Sequence, residues 1–293
     1  MEDYLIRIIS KDAGVRGLAC LTTEVSKEAA RRHKSEATTT AALSRGLTSA
    51  ALMGALLKVR QRVAIKYEGD GPLNKMLVES DAYGKIRGYA AVPELDLVKL
   101  DNVIDPYGVG KALGHGVLTV VKDLKLKDLY ESAVPLITGQ VDEDLEYYLN
   151  QSEQLPSAVQ IGVVLDENGD VVISGGLLIQ NLAGYEETAI HQIAERIQEI
   201  PPIEELLKEG KMPEEILNLL FGDIEYEVLE KRQVIFKCQC SRERSEQALM
   251  SLGREDLESL YEEGQAVVDC HFCHEQYVFD REDIEMILDV MLD

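Results

Sequence analysis

Four of the five cysteines fall in the last 56 residues, as Cys238-Gln-Cys240 and, after 29 intervening residues, Cys270-His-Phe-Cys273. Two close pairs separated by a longer excursion can present four ligands tetrahedrally to one ion. Each pair wraps one side through a tight turn, and the intervening chain brings the pairs together. Four thiolates suit Zn²⁺, a borderline-soft ion with no redox chemistry of its own. An iron–sulfur cluster is the competing metal, although a Cys-x-Cys pair is less usual there. The spacing thus predicts a zinc site with Cys238, Cys240, Cys270 and Cys273 as ligands. His271 and His274 flank the second pair and could stand in for a cysteine, but a full set of four makes them neighbours rather than ligands. Cys20 stands alone in a strand-like stretch and reads as a small buried hydrophobe.

Such a site has consequences for stability. A segment of about 60 residues buries only ~60% of its unfolded surface and is marginal by itself, whereas structural zinc contributes ~10–16 kcal/mol in small zinc peptides. Loss of the metal should unfold the module. Oxidation is one route, because the thiolate is the reactive form of cysteine. Cys270-x-x-Cys273 has the spacing of redox-active pairs, while Cys238-x-Cys240 would close a tighter, more strained ring and is expected to follow. Zinc ligation and redox sensing are compatible roles for the same residues.

Composition restricts the partners and the compartment. The formal net charge of −23 over 293 residues opposes binding to nucleic acid, which needs a basic surface to displace counterions, and to an anionic membrane surface. The N-terminal Met-Glu-Asp-Tyr-Leu-Ile-Arg lacks the basic region and apolar run of a secretory signal. No apolar stretch reaches the ~20 residues of a membrane span. Clustered cysteines outside a disulfide framework point to the cytoplasm.

The chain reads as α+β in three segments. Residues 1–180 form a mixed sheet-and-helix core: period-2 alternation or β-branched runs occur at 4–9, 61–67, 75–78, 86–92, 116–121, 160–165 and 171–179. Asp70-Gly71 and Asn168-Gly169 lie between apolar runs, as tight hairpin turns demand. Residues 38–58 are apolar round most of a helical circumference, which predicts a buried helix, and a second helix is expected over 142–151. Residues 181–230 are a helical linker carrying thirteen acidic and three basic residues. Ile190, Ile193 and Ile197 fall at helical spacing up to Pro201-Pro202, which ends the helix. A short piece follows over 203–208, and a third starts at Pro213 and stops at Gly222. Pieces this short hold together only when docked. They read as an ordinary packed linker or as a segment poised to unfold, and composition favours the first. Residues 231–293 form a small C-terminal zinc-binding module with a net charge of −8.

Other chemistries fail on detail. Gly108, Gly110, Gly114 and Gly116 suggest a nucleotide loop, but the phosphate-binding pattern meets Asp105 and Ala112 where it needs glycine and Ser/Thr. The third glycine of a dinucleotide fingerprint is one residue late. These glycines read as turns or strand bends. No nucleophile elbow or His-Glu-x-x-His motif is present, and no enzyme is expected. A zinc-ribbon nucleic-acid binder and a static zinc-stabilised interaction protein remain as alternatives.

The cysteine pattern, with segments 41–58 (AALSRGLTSAALMGALLK), 116–124 (GVLTVVKDL), 147–156 (YYLNQSEQLP) and 175–180 (GGLLIQ), resembles the 33 kDa chaperonin family of bacterial redox-regulated heat-shock chaperones. The resemblance covers essentially the whole chain. It implies an ATP-independent holdase that is inactive when reduced and zinc-bound. Oxidant with unfolding conditions would form the disulfides Cys238–Cys240 and Cys270–Cys273 and release zinc. The module and linker would then unfold, and the protein would form a homodimer that captures unfolding clients and passes them to an ATP-driven foldase. It also implies the poised reading of residues 181–230.

Overall fold

The computed structural model describes residues 2–98 and 105–291, which divide into the units Met1–Lys237 and Cys238–Asp293. The first unit begins with strands β1 (Tyr4–Ser10) and β2 (Val15–Leu21) and helices α1 (Thr23–His33) and α2 (Ala37–Gly54). Strands β3 (Arg62–Gly69), β4 (Lys75–Asp81) and β5 (Lys85–Ala90) follow, then the short helix α3 (Val109–Leu113). After it come β6 (Gly116–Asp123), β7 (Tyr130–Leu136), helix α4 (Val141–Gln151), β8 (Ser157–Leu165) and β9 (Val171–Asn181). Helices α5 (Thr188–Glu199), α6 (Ile203–Lys208) and α7 (Pro213–Phe221) lead to β10 (Glu227–Gln233) and the two-residue β11 (Ile235–Phe236). The second unit comprises α8 (Arg242–Met250), α9 (Arg254–Glu263), β12 (Gln265–Asp269), β13 (Gln276–Asp280) and α10 (Arg281–Val290). The architecture is α+β, as the sequence predicts.

Among the described residues, the first unit holds two sheets, ordered β10-β1-β2-β9-β8 and β11-β5-β4-β3-β6-β7. Neighbours are antiparallel except β11 and β5. Helix α2 lies between the sheets, packed on β4 and β5 of one and on β8 and β9 of the other. It is buried from Thr38 to Gly54, as its all-round apolar character requires. Leu43, Leu47, Leu52 and Met53 are essentially inaccessible. Full burial of each is worth about 1.5–3 kcal/mol, several times the spread in helix propensity per residue, so packing holds this helix. Among the described residues no helix is long and apolar enough to cross a membrane.

The five-stranded sheet is apolar on both faces. Leu5, Leu18 and Leu178 face α2, while Ile6, Ile8, Ala19, Leu177 and Ile179 face the other way. That second face is covered by Ile190, Ile193 and Ile197 of α5, Leu206 and Leu207 of α6, and Leu217, Leu220 and Phe221 of α7. Polar ties fix the helices. Glu214 on α7 accepts from the Tyr4 hydroxyl at 2.5 Å and from Lys231 at 2.7 Å, and the Lys231 ammonium lies 4.0 Å from the Tyr4 ring centroid. Arg196 on α5 donates to the carbonyls of Leu220 (3.0 Å) and Phe221 (2.6 Å) at the C-terminal end of α7, and pairs with Asp223. Close approach sets the seat of α6: a Cβ at Gly162 on β8 would fall 2.9 Å from the Glu204 backbone nitrogen.

Three features differ from the sequence expectation. The loops at Asp70-Gly71 and Asn168-Gly169 are longer than two-residue turns, because their strands end at Gly69 and Leu165 and resume at Lys75 and Val171. In the first of them the left-handed residue is Asn74. Residues 231–237 belong with the first unit rather than with the cysteines. Strand β10 pairs with β1 and β11 with β5, so this segment runs from the edge of one sheet to the edge of the other, and the Val234 amide donates to Asp3 O.

The second unit builds a small core from Leu249, Leu257, Ala266, Phe279, Ile284 and Ile287 around the β12–β13 hairpin. Asp280 caps α10, accepting from the Asp283 amide.

The Gly162 contact yields a test. Gly162→Val should lift α6 from the sheet, an overpacking effect of about 1–3 kcal/mol. Hydrogen exchange is expected to accelerate in α6 and α7 while α2 stays protected. Unchanged exchange in α6 would show that the close approach does not govern its seating.

Candidate metal centre

The first cysteine pair lies on the extended segment before α8. Its turn is locked from the helix: the Arg244 guanidinium donates to Gln239 O at 2.7 Å, and Ser241 caps α8 by accepting from the Arg244 amide. The second pair occupies the loop joining β12 and β13, whose last register pair is Asp269–Gln276. The amides of Cys273 and His274 both converge on Cys270 O, at 3.1 and 2.7 Å, and the Cys270 amide reaches Glu275 O at 3.0 Å. His274 takes a left-handed conformation, φ +52, which curls the loop so that both sulfurs face the same side.

The folding of the unit brings all four sulfurs within 4.8 Å of one another. Cys238 and Cys270 are 3.7 Å apart, and Cys240 and Cys273 are 3.4 Å apart. A tetrahedron with metal–sulfur bonds of ~2.3 Å has edges of about 3.8 Å, so the cluster has the size that a four-thiolate metal site requires. All four cysteines are free thiols, Cys273 buried and the others half-buried. Burial pushes the Cys270 and Cys273 thiols up from their ordinary values. Thiolates this crowded need a counter-cation, and a divalent metal supplies one. The donor set therefore fits a bound metal ion.

The hydroxyl of Tyr277, on β13, donates to Cys240 Sγ at 3.2 Å. It links the hairpin that carries the second pair to a sulfur of the first. His274 turns instead to Asp269, Nδ1 to Oδ1 3.0 Å, and among the described residues the metal-sized cluster consists of the four cysteines alone. Cys20 lies on β2 in the first unit, buried on the α2 side, where desolvation pushes its thiol up. The glycine-rich stretch forms α3, flanked by Gly108 and Gly114, both with positive φ. Asp105 accepts from the amides of Val109 and Gly110 at the start of that helix. The turn reading holds for Gly108 and Gly114, whereas Gly110 lies within α3 and Gly116 opens β6.

Tyr277, Arg244 and the Tyr4–Glu214–Lys231 tie have no signature in sequence spacing. Only an aromatic residue four positions after the last cysteine offered a hint of the first.

Comparison with known proteins agrees with this geometry. A sequence model of the Hsp33 protein family matches residues 3–280. The 33 kDa chaperonin of Geobacter sulfurreducens is 47% identical over 291 residues, spanning 99% of this chain and 96% of that one. The 33 kDa chaperonin of Geobacillus kaustophilus is 42% identical, spanning 98% of each. The crystal structure of the 33 kDa chaperonin from Thermotoga maritima superposes with a TM-score of 0.92 at 35% identity, covering 99% of both chains. Sequence, fold and the gathered thiols lead to one conclusion: this chain belongs to the Hsp33 family of redox-regulated 33 kDa chaperonins.

Proposed function

We propose that the protein is an ATP-independent holdase of the cytoplasm, switched on by oxidation of its four clustered thiols. In the reduced state Cys238, Cys240, Cys270 and Cys273 hold Zn²⁺, and the protein is inactive. Oxidation closes Cys270–Cys273 and Cys238–Cys240, removes the ligands and releases the ion. The second unit then unfolds and the linker leaves the sheet. The uncovered apolar surface binds unfolding clients, a homodimer forms, and clients pass to an ATP-driven foldase. No catalytic step is assigned, and the acidic surface argues against nucleic-acid and membrane partners.

The observation that carries this reading is the apolar sheet face under α5, α6 and α7. A chaperone that must be silent until needed requires a sticky surface under a removable cover. On this reading the labour is divided among a core over 1–180, a cover over 181–230 and a thiol-controlled module that begins at Cys238. Chain continuity through β10 and β11 joins the cover to the module.

Zinc suits the donor set, because it prefers tetrahedral thiolate coordination and leaves electron transfer to the sulfurs. Its ~10–16 kcal/mol is comparable with burial of the module's five large core side chains at about 1.5–3 kcal/mol each. Against the conformational entropy of some 56 residues, the core alone does not suffice.

At α6 one carboxyl group works against the apolar seating of the cover. Burial raises the Glu204 carboxyl above its ordinary value, with Arg45 opposing and Asp142 and Glu205 adding to the shift. A carboxyl raised in the docked state weakens docking when ionised. Docking should therefore strengthen as pH falls through that raised value, and Glu204→Gln should hold the cover down at neutral pH. Hydrogen exchange in α6 is expected to slow several-fold and to lose its dependence on pH beyond the intrinsic chemical rate. Faster exchange would reverse the assigned sign.

The function is tested by aggregation of a thermally unfolding client, followed by light scattering with zinc release recorded in parallel. Zinc-loaded reduced protein should not protect the client, and protein treated with peroxide at elevated temperature should. Equal activity in both states would rule out the redox switch. Cys270→Ser should lower zinc affinity by at least tenfold and expose the second unit to protease while the first stays resistant. Full metal retention would disprove the ligand assignment.

A further inference from the structure

Among the sulfurs of the cluster, Cys240 receives a hydrogen bond from a side chain that lies far away in sequence. Tyr277 sits on β13 opposite Val268, and its ring packs against the small core of the second unit. The fold thereby aims its hydroxyl at Cys240 Sγ, 3.2 Å away and 37 residues back along the chain. The second pair is treated differently: Cys270 and Cys273 take hydrogen bonds from the backbone amides of Phe272 and Glu275, which belong to their own loop.

We propose that Tyr277 is a positioning residue that restrains the Cys240 sulfur and delays closure of the Cys238–Cys240 disulfide. The inference rests on the redox reading given above. With a peroxide as oxidant, a lone pair of the Cys240 thiolate attacks the O–O bond. An S–O bond forms, the O–O bond breaks and hydroxide leaves, giving a sulfenic acid. The Cys238 thiolate then attacks that sulfur, an S–S bond forms, and a second hydroxide leaves. Two thiolates have given two electrons to one peroxide. The first step needs sulfur electron density that the Tyr277 hydroxyl engages, and it needs the sulfur free to turn toward the oxidant. A hydrogen bond to an anion opposes both. Ring strain in a Cys-x-Cys disulfide delays the same pair by a separate mechanism, so both effects leave Cys270–Cys273 as the leading pair.

Removing one such bond should change a rate by roughly fivefold. The test uses full-length zinc-loaded protein, wild type and Tyr277→Phe, exposed to limiting hydrogen peroxide. Samples are quenched by alkylation at intervals, and oxidation at each cysteine is read by peptide mass spectrometry. Tyr277→Phe keeps the ring and should speed oxidation of Cys240 roughly fivefold, with the initial rate at Cys270 unchanged. An unchanged Cys240 rate would overturn the proposal, as would equal acceleration at all four cysteines. Tyr277→Leu, which also loses the ring, supplies the pattern of general loosening: faster oxidation throughout and a lower melting temperature of the second unit. If Tyr277→Phe matched that pattern, the residue would serve packing alone. Wild-type thiols that resist peroxide would instead sink the redox reading itself.

Discussion

Strands β1, β2 and β9 carry apolar side chains on both faces, and a sheet of that kind cannot leave either face in water. Helix α2 covers one side with a continuous wall of small and aliphatic residues between two sheets. The other side is left to three short helices from a segment with thirteen acidic residues against three basic ones. Helices α6 and α7 fall short of the ~12–15 residues at which an isolated helix is even marginal in water, and α5 only just reaches it. Sheet and cover therefore depend on each other: the cover is helical because it is docked, and the sheet face is dry because it is covered. Most of the adhesion comes from apolar burial, which is non-directional. Ties such as Arg196 on the end of α7 and Glu214 between Tyr4 and Lys231 fix where the helices sit.

The sequence made some of this legible and hid the rest for identifiable reasons. The three linker helices could be bounded because prolines at 201, 202 and 213 and Gly222 punctuate them and because the isoleucines keep helical spacing. Helix α2 announced itself by a proline-free run rich in Ala and Leu that is apolar round most of its circumference. Helix α1 did not, since Lys, Glu and Arg dominate it and only a narrow stripe including Val25 and Ala29 is buried. Strand β7 hides behind Pro135, which an edge strand tolerates. Strand β10, Glu-Val-Leu-Glu-Lys-Arg-Gln, has no buried alternation to read, because backbone pairing with β1 sets its place.

At the candidate site the same division holds. Four cysteines in two close pairs can be read from spacing, because local turns alone bring each pair round one ion. What surrounds the sulfurs cannot. The Tyr277 hydroxyl reaches Cys240 only after the hairpin has formed and α8 has packed beside it, and the Arg244 tie to Gln239 needs the first turn of α8. Interactions that shape how a ligand set reacts belong to the folded unit, and a linear motif carries no trace of them.

The three parts of the chain can be ranked by what resists their opening. The core between the sheets buries tens of apolar side chains around α2. The cover holds on through about a dozen, with a half-buried carboxyl at Glu204 acting against it. The last unit has six and, on the proposed reading, a metal whose ligands an oxidant can remove. Local opening follows local stability, so on that reading loss of the thiol ligands would unfold the last unit before heat reaches the core. The cover would then be the next element to yield. Its departure would uncover the sheet face while α2 keeps the sheet itself intact. A chaperone that opened in the reverse order would unfold its own binding surface first. On the proposed reading, the gradient of burial along the chain is the physical basis for a client surface that can be exposed without being destroyed.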